Sequence, residues 1–260
     1  MSKITIKTKE DIEKLRIGGR RLARVVDAVG ARIQPGMSAL ELDTFAEEMI
    51  RSFGDTPSFL GYAQTKKDPG YPGTLCISVN DGVVHGAPSA DIIFKEGDIV
   101  KIDCGLIHEG LFVDHARTFA VGDIDPADRE LMRVTEEALR VGIEQARAGN
   151  TTGDIGYAIE SYVKNRYGNV RTLAGHGVGY AVHEPPFVPN YGKKGKGEPL
   201  VPGMVIAIEP MLTRGTDDVM IADDGYTYIT TDGSHAAHFE HTLLITENGP
   251  AEIFTVLEDE

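Results

Sequence analysis

Apolar residues recur at helical spacing from Thr8 onward: Ile12, Leu15, Leu22, Val25, Val26, Val29 and Ile33 share one face, and Pro35-Gly36 closes the run. The pattern predicts a long amphipathic helix. Ser38 and Glu41 make a capping-box pair ahead of Leu42, Phe45, Met49 and Ile50, which predicts a second helix. A Gly/Pro-rich loop follows between Phe53 and Pro72. Beyond it the apolar period shortens to two. A short strand is expected around Leu75–Val79, a strand over 97–103, a turn over 105–110 and a returning strand over 111–121, which together read as a hairpin. Helices then resume. One starts at Asp125-Pro126 and is carried by Leu131, Val134, Ala138, Val141 and Ala146 to Gly149; another runs from Thr152 to about Arg166. Strands are expected again over 172–176 and 203–209.

The segments 97–103 and 203–209 resemble one another. Each begins with Gly, alternates apolar positions and reaches an acid six residues later, Asp103 in one and Glu209 in the other. The order helix, helix, strand, acid-ended strand, returning strand thus occurs twice. An internal duplication accounts for it, with halves of about 8–122 and 123–254. The expectation is an α+β architecture in which two pseudo-twofold related halves share one sheet and their acids converge near the axis. No Pro/Ser-rich linker divides the chain, so residues 1–260 read as a single domain. The basic stretch 193–197 reads as a solvated loop.

Composition narrows the classes of function. With 41% hydrophobic and 25% charged residues over 260 positions, the chain has the make-up of a folded globular protein. No stretch approaches the roughly 20 apolar residues of a membrane span, and the N-terminus has no apolar core for a secretory signal. A cytoplasmic protein is expected. Cys76 and Cys104 are too few for a disulfide framework and show no Cys-x-x-Cys spacing. Lys and Arg number 26 against 40 Asp and Glu, a net charge of −14 that repels phosphate backbones and anionic lipid. Neither nucleic acid nor membrane is the expected partner. Without a coiled-coil pattern or an exposed apolar helix to demand an obligate partner, a monomer is expected.

Candidate chemistry lies in the acids set among apolar strands. Asp103, Asp114, Glu209 and Glu240 each occupy such a position, and burying them together costs several kcal/mol per close pair at intermediate dielectric. Two divalent cations offset that cost by supplying +4 against −4. His176, within Gly175-His176-Gly177-Val178-Gly179, is the candidate imidazole ligand; His183 and His85 are two further histidines in turn-like contexts. Oxygen-rich ligation with one imidazole suits Mn, Fe or Co better than a structural Zn site. His108, His115, His235, His238 and His241 are read as structural or surface residues.

On this ordered set the chain, from about Thr8 to Phe254, resembles the type I methionine aminopeptidases of the pita-bread metallopeptidase fold. The resemblance implies a dinuclear centre of two divalent ions (Co, Mn, Fe or Zn) held by Asp103, Asp114, His176, Glu209 and Glu240. It implies His85, His183 and Glu209 as catalytic residues, and a methionine pocket walled by Phe59, Tyr62, Tyr71, Cys76, Val182 and Tyr226, with His85 and His183 also meeting substrate. The implied reaction is removal of N-terminal Met from peptides and nascent chains when the second residue is small, with transient ribosome contact. Met1-Ser2 itself satisfies that rule. The same five ligands serve X-Pro aminopeptidases and prolidases, the alternative reading, but those relatives usually carry a large N-terminal domain and only about ten residues precede the first helix here. Three departures from many bacterial relatives concern the pocket: Phe59 and Val182 stand for a Cys and a Phe, the 63–70 loop is longer, and Gly105 replaces a hydroxyl residue.

Overall fold

A computed structural model of the chain describes residues 4–63 and 69–257. Met1, Ser2 and the greater part of the 63–70 loop lie outside the described residues. Thr8 starts the first helix, α1 (Lys9–Gly30), by a reciprocal cap: its hydroxyl accepts the Asp11 N–H at 3.2 Å, and the Asp11 carboxylate accepts the Thr8 N–H at 2.9 Å. Two otherwise orphaned donors are satisfied. The helix stops short of Pro35-Gly36. At Gly30 the Phe119 ring sits where a side chain would be, and i→i+3 bonds at Arg32 and Ile33 tighten the chain into turns. Ser38 and Glu41 cap α2 (Ala39–Ser52) in the same reciprocal way. Helix α3 (Pro126–Ile143) begins behind Asp125, whose side chain accepts the Ala127 N–H at 2.7 Å, with Pro126 in the first turn. It ends before Gly149 because Gln145 and Ala146 close in i→i+3 bonds. Helix α4 (Thr152–Val163) gives out at Lys164, which adopts φ +52°.

The strands that matter for the site are β1 (Leu75–Val79), β2 (Ile99–His108), β3 (Leu111–Ala120), β4 (Gly175–Gly177), β5 (Glu184–Val188), β6 (Val205–Ile208) and β7 (Glu240–Leu244). They lie in one sheet in the order β1, β2, β3, β7, β6, β4, β5, with neighbours antiparallel. From β1 to β4 this order is a palindrome. The first half supplies β1-β2-β3, the second supplies β4-β6-β7, and they meet at β3·β7. The duplication extends to single bonds. Gly97 (φ +93°) donates its N–H to Val121 and Gly203 (φ +86°) donates to Ile245, each at 2.9 Å.

Two expectations are corrected. Residues 105–108 are strand, not turn: Gly105, Leu106, Ile107 and His108 continue the ladder opposite Asp114, Val113, Phe112 and Leu111. The turn is confined to Glu109 and Gly110, both at positive φ as a tight hairpin requires. Asp103 therefore sits within β2 rather than at its end, whereas Glu209 does follow β6 directly. The strand expected over 172–176 begins only at Gly175. Strand β5 was not foreseen; its Pro185-Pro186 hides any alternation.

Helices cover one face of the sheet. In β2 the alternate residues Val100, Ile102, Cys104 and Leu106 pack with α1 residues Leu15, Leu22 and Val26 in one core cluster. In the other half Ile206, Ile208 and Leu243 pack with Leu131, Val134 and Ile159. Each such buried aliphatic side chain contributes about 1.5–3 kcal/mol. Because side chains alternate along a strand, Lys101, Asp103 and Gly105 point to the opposite face. The polar chemistry lies there.

Candidate active site

Register brings the acids together. Asp103 on β2 and Glu240 on β7 are both cross-strand partners of Ala116 on β3, so all three lie in one row across three strands. Asp114, two residues before Ala116, faces the same side. Glu209 enters from the end of β6, beside β7, and His176 comes from the middle of β4. These five side chains line one cavity of about 480 Å³ with His85 and His183. Ligating atoms of Asp114, His176 and Glu240 all lie within 4.8 Å of one another. His176 Nε2 stands 3.5 Å from Glu209 Oε1 and 3.9 Å from Asp114 Oδ2.

The cluster is strained electrostatically as it stands. Burial, reinforced by the charge of Asp114, pushes Asp103, Glu209 and Glu240 well above the usual carboxylate range, and burial carries Asp114 up to about 7. Asp103 Oδ1 and Glu240 Oε1 are buried without a hydrogen-bond partner among the described residues. His176 has a free lone pair aimed at the same place. Its Nδ1 lies 2.9 Å from the Gly177 carbonyl, which can only accept, so the ring hydrogen is on Nδ1 and Nε2 is bare. Burial holds this ring neutral, its pKa pushed down to about 3. Carboxylate oxygens without partners around a bare imidazole nitrogen are the donor set of a hard or borderline divalent cation.

His85 and His183 stand beside this cluster. His85 holds φ +60°, a conformation uncommon outside Gly that a turn imposes on it, and its ring packs edge-on against Tyr228. Burial lowers its pKa to about 4 and lowers that of His183 as well. His183 Nδ1 lies 3.1 Å from the Tyr62 hydroxyl. The loop that carries His183 is strapped to the N-terminal segment by the buried pair of Lys7 and Glu184, and Tyr180 donates to Asp11 at 2.6 Å. Sequence reading had no signal for Lys7, since its partner is 177 residues away.

The apolar end of the cavity is formed by Phe59, Tyr62, Tyr71, Cys76 and Tyr226. Val182 is not on the lining; it packs behind it in a cluster with Phe59 and Cys76. Ile221 and Tyr228, which sequence reading missed, complete the wall from the hairpin of Val219–Ile221 and Tyr228–Thr230. Ile221 is half exposed, so nothing in its local pattern marks it. A Cβ on Gly105 would fall 2.1 Å from Ser58 Oγ and 2.9 Å from the Phe59 ring, so Phe59 occupies space that a side chain at position 105 would need. Cys76 and Cys104 are both buried free thiols.

The sequence pattern of metallopeptidase family M24 matches residues 13–247. The chain belongs to this family. Over 256 residues this M24 protein is 43% identical to the methionine aminopeptidase of Clostridium acetobutylicum, a match covering 98% of this chain and 100% of the relative. A crystal structure of methionine aminopeptidase from Thermotoga maritima agrees with a TM-score of 0.93 at 43% identity, covering 97% of this chain and 99% of that one. A prolidase from Pyrococcus horikoshii shares the fold more distantly, with a TM-score of 0.77 at 26% identity, covering 97% of this chain but 64% of the prolidase. The expected architecture and resemblance are borne out. M24 membership implies use of divalent metal, and the donor set described above fits it. No helix among the described residues of this M24 protein is long and apolar enough to cross a membrane.

The acid cluster dictates how the cation-free M24 protein responds to pH. Its carboxyls release their protons near pH 4 in the unfolded chain, but near 7 for Asp114 in the folded one, with Asp103, Glu209 and Glu240 also held well above the usual carboxylate range by burial. Their contribution to stability is therefore full below about pH 4 and is lost as pH rises through the folded values. Calorimetry of chelated protein should show a melting temperature at pH 8 at least about 5 °C below that at pH 6, with the gap closed by added Mn²⁺. A flat profile in the chelated protein would argue that the carboxyls are not held together.

Proposed function

We infer that this chain is a methionyl aminopeptidase, a metal-dependent hydrolase that removes N-terminal Met when the second residue is small. One observation carries the reading: the acid cluster with its three histidines and an apolar wall face each other across a single cavity. Its acidic end suits a free α-amino group, which restricts reaction to chain termini, and its apolar end suits an unbranched thioether side chain. We assign Asp103, Asp114, His176, Glu209 and Glu240 as ligands of two divalent cations, with Mn, Fe or Co preferred to Zn. Cations held there supply Lewis acidity and acidify water to a pKa near about 7.

The chain's own residues then handle protons and geometry. Glu209 takes a proton from the attacking water and passes it toward the departing amine. His183 donates to the scissile carbonyl oxygen as charge develops on it; in the tautomer that carries its hydrogen on Nε2, Nδ1 accepts from the Tyr62 hydroxyl 3.1 Å away. His85 meets the scissile amide nitrogen. Phe59, Tyr62, Tyr71, Cys76 and Tyr226 enclose the Met side chain, with Val182 supporting them from behind. Nascent chains as the natural substrate, transient ribosome contact, a monomeric state, a cytoplasmic location and a single catalytic domain over residues 1–260 complete the proposal.

The alternative, cleavage of X-Pro bonds, shares the ligands but differs in substrate. Incubating the Mn²⁺-loaded chain with Met-Ala-Ser, Ala-Pro and Met-Pro separates the two. Free Met from the first peptide alone supports the reading. Cleavage confined to the Pro dipeptides would replace it with the prolidase one.

A further inference from the structure

His238, expected from the sequence to be structural or at the surface, is buried. Its ring is 1% exposed, and both ring nitrogens are buried without a hydrogen-bond partner among the described residues. Leaving such donors and acceptors unpaired costs about 1–3 kcal/mol, so a buried imidazole in this state signals a partner close by. The backbone gives the ring little freedom to leave. Thr118 Oγ1 accepts the His238 N–H at 2.9 Å and donates to the His238 carbonyl at 2.8 Å, and the strand Ala236–His238 pairs with Met211–Thr213 on its other side. The ionisable groups that influence the ring are Glu209, His85 and Lys101. Of these the carboxylate is the strongest acceptor.

Glu209 is in fact flanked by two imidazoles. Its Oε1 faces His176 Nε2 at 3.5 Å, and its Oε2 faces His238 Nε2 at 3.7 Å. The second distance is about half an ångström beyond a hydrogen bond. The two rings play opposite parts. His176 commits its hydrogen to the Gly177 carbonyl and presents a bare Nε2. His238 has no such commitment, so its single hydrogen is available on Nε2.

We propose that His238 is a positioning residue for Glu209: its neutral Nε2–H donates to Oε2, which turns Oε1 toward the cation cluster beside His176 and fixes the carboxylate for proton transfer. The inference rests on the cation-dependent reading above. A carboxylate fixed by an outer donor binds a cation without first losing rotational freedom, which is why removing such a donor typically weakens metal binding by about 10–100-fold.

The test compares His238→Leu, which fills the space without a donor, with His238→Gln, which restores one. Calorimetric titration of Mn²⁺ into chelated protein should show affinity about 10–100-fold weaker for the Leu variant and within about threefold of wild type for the Gln variant. On Met-Ala-Ser the Leu variant, assayed at saturating Mn²⁺, should lose kcat with KM changed less than about twofold. Wild-type Mn²⁺ affinity and kcat in a folded His238→Leu protein would overturn the proposal. Should that variant fail to fold, ¹⁵N-histidine NMR of the chelated wild-type chain decides. A slowly exchanging Nε2–H of His238 whose shift moves in Glu209→Gln supports the contact; its absence refutes it. The Mn²⁺ titration and the NMR contact do not depend on which residue is released from a peptide. Loss of Met release from the wild type with the Mn²⁺ contrast intact would strike the functional reading alone.

Discussion

Chelated protein is expected to release Met from Met-Ala-Ser at least about 10³-fold more slowly than the loaded protein. The cations supply several kcal/mol of transition-state stabilisation, and each 1.36 kcal/mol is a factor of ten. Return of Mn²⁺, Co²⁺ or Fe²⁺ should restore turnover. The chelated protein should also melt at a lower temperature, since an ion that binds only the folded state stabilises it by mass action. Without counter-charge, Asp103, Asp114, Glu209 and Glu240 repel one another in a site where Asp103 and Glu240 each leave an oxygen unpartnered. Unchanged turnover, with loss of bound metal shown by elemental analysis, would remove cations from the mechanism.

His183→Ala should lower kcat by about 10²–10³ while leaving cation affinity within a few-fold of wild type, the loss being that of one donor to a developing oxyanion. The separation is possible because His183 sits outside the proposed ligand set, its ring edge-on to His176 with centroids 4.5 Å apart. His85→Ala should lower kcat by about 10²-fold, as expected for a group that assists proton transfer to the leaving amine. Both variants need stopped assays at saturating peptide together with a Mn²⁺ titration. Full activity in either would strip that histidine of its role. A kcat loss that tracks weakened Mn²⁺ binding would show instead that the ring supports the cluster.

How far the site was legible depends on the reach of each signal. Capping boxes at Thr8 and Ser38 and the Asp125-Pro126 start are local, satisfied within a few residues, and the helix starts followed from them. Helix ends were less legible, because Gly30 stops α1 at a ring contributed by Phe119, 89 positions later. Asp103, Asp114, Glu209 and Glu240 stood out because an acid in an apolar strand is costly without a counter-charge. Val182, Ile221 and His238 did not. An apolar residue behind a pocket looks like any core residue, an exposed Ile on a hairpin looks like surface, and a histidine near a strand end has several bland homes.

The order of acids and histidines, the repeated Gly-to-acid spacing and the acidic composition lie in the chain itself, and they determine that two similar halves carry one set of candidate hard ligands. What folding alone decided is which side chains share a face. Asp103 and Glu240 are 137 residues apart, and they meet because both pair with Ala116 in a sheet whose strand order mirrors itself. A shift of one residue in either pairing would turn a carboxylate into the helical core, since strand side chains alternate with a period of two. The hydrophobic faces of α1 and α3 fix that register, and with it the position of the acids in the cavity.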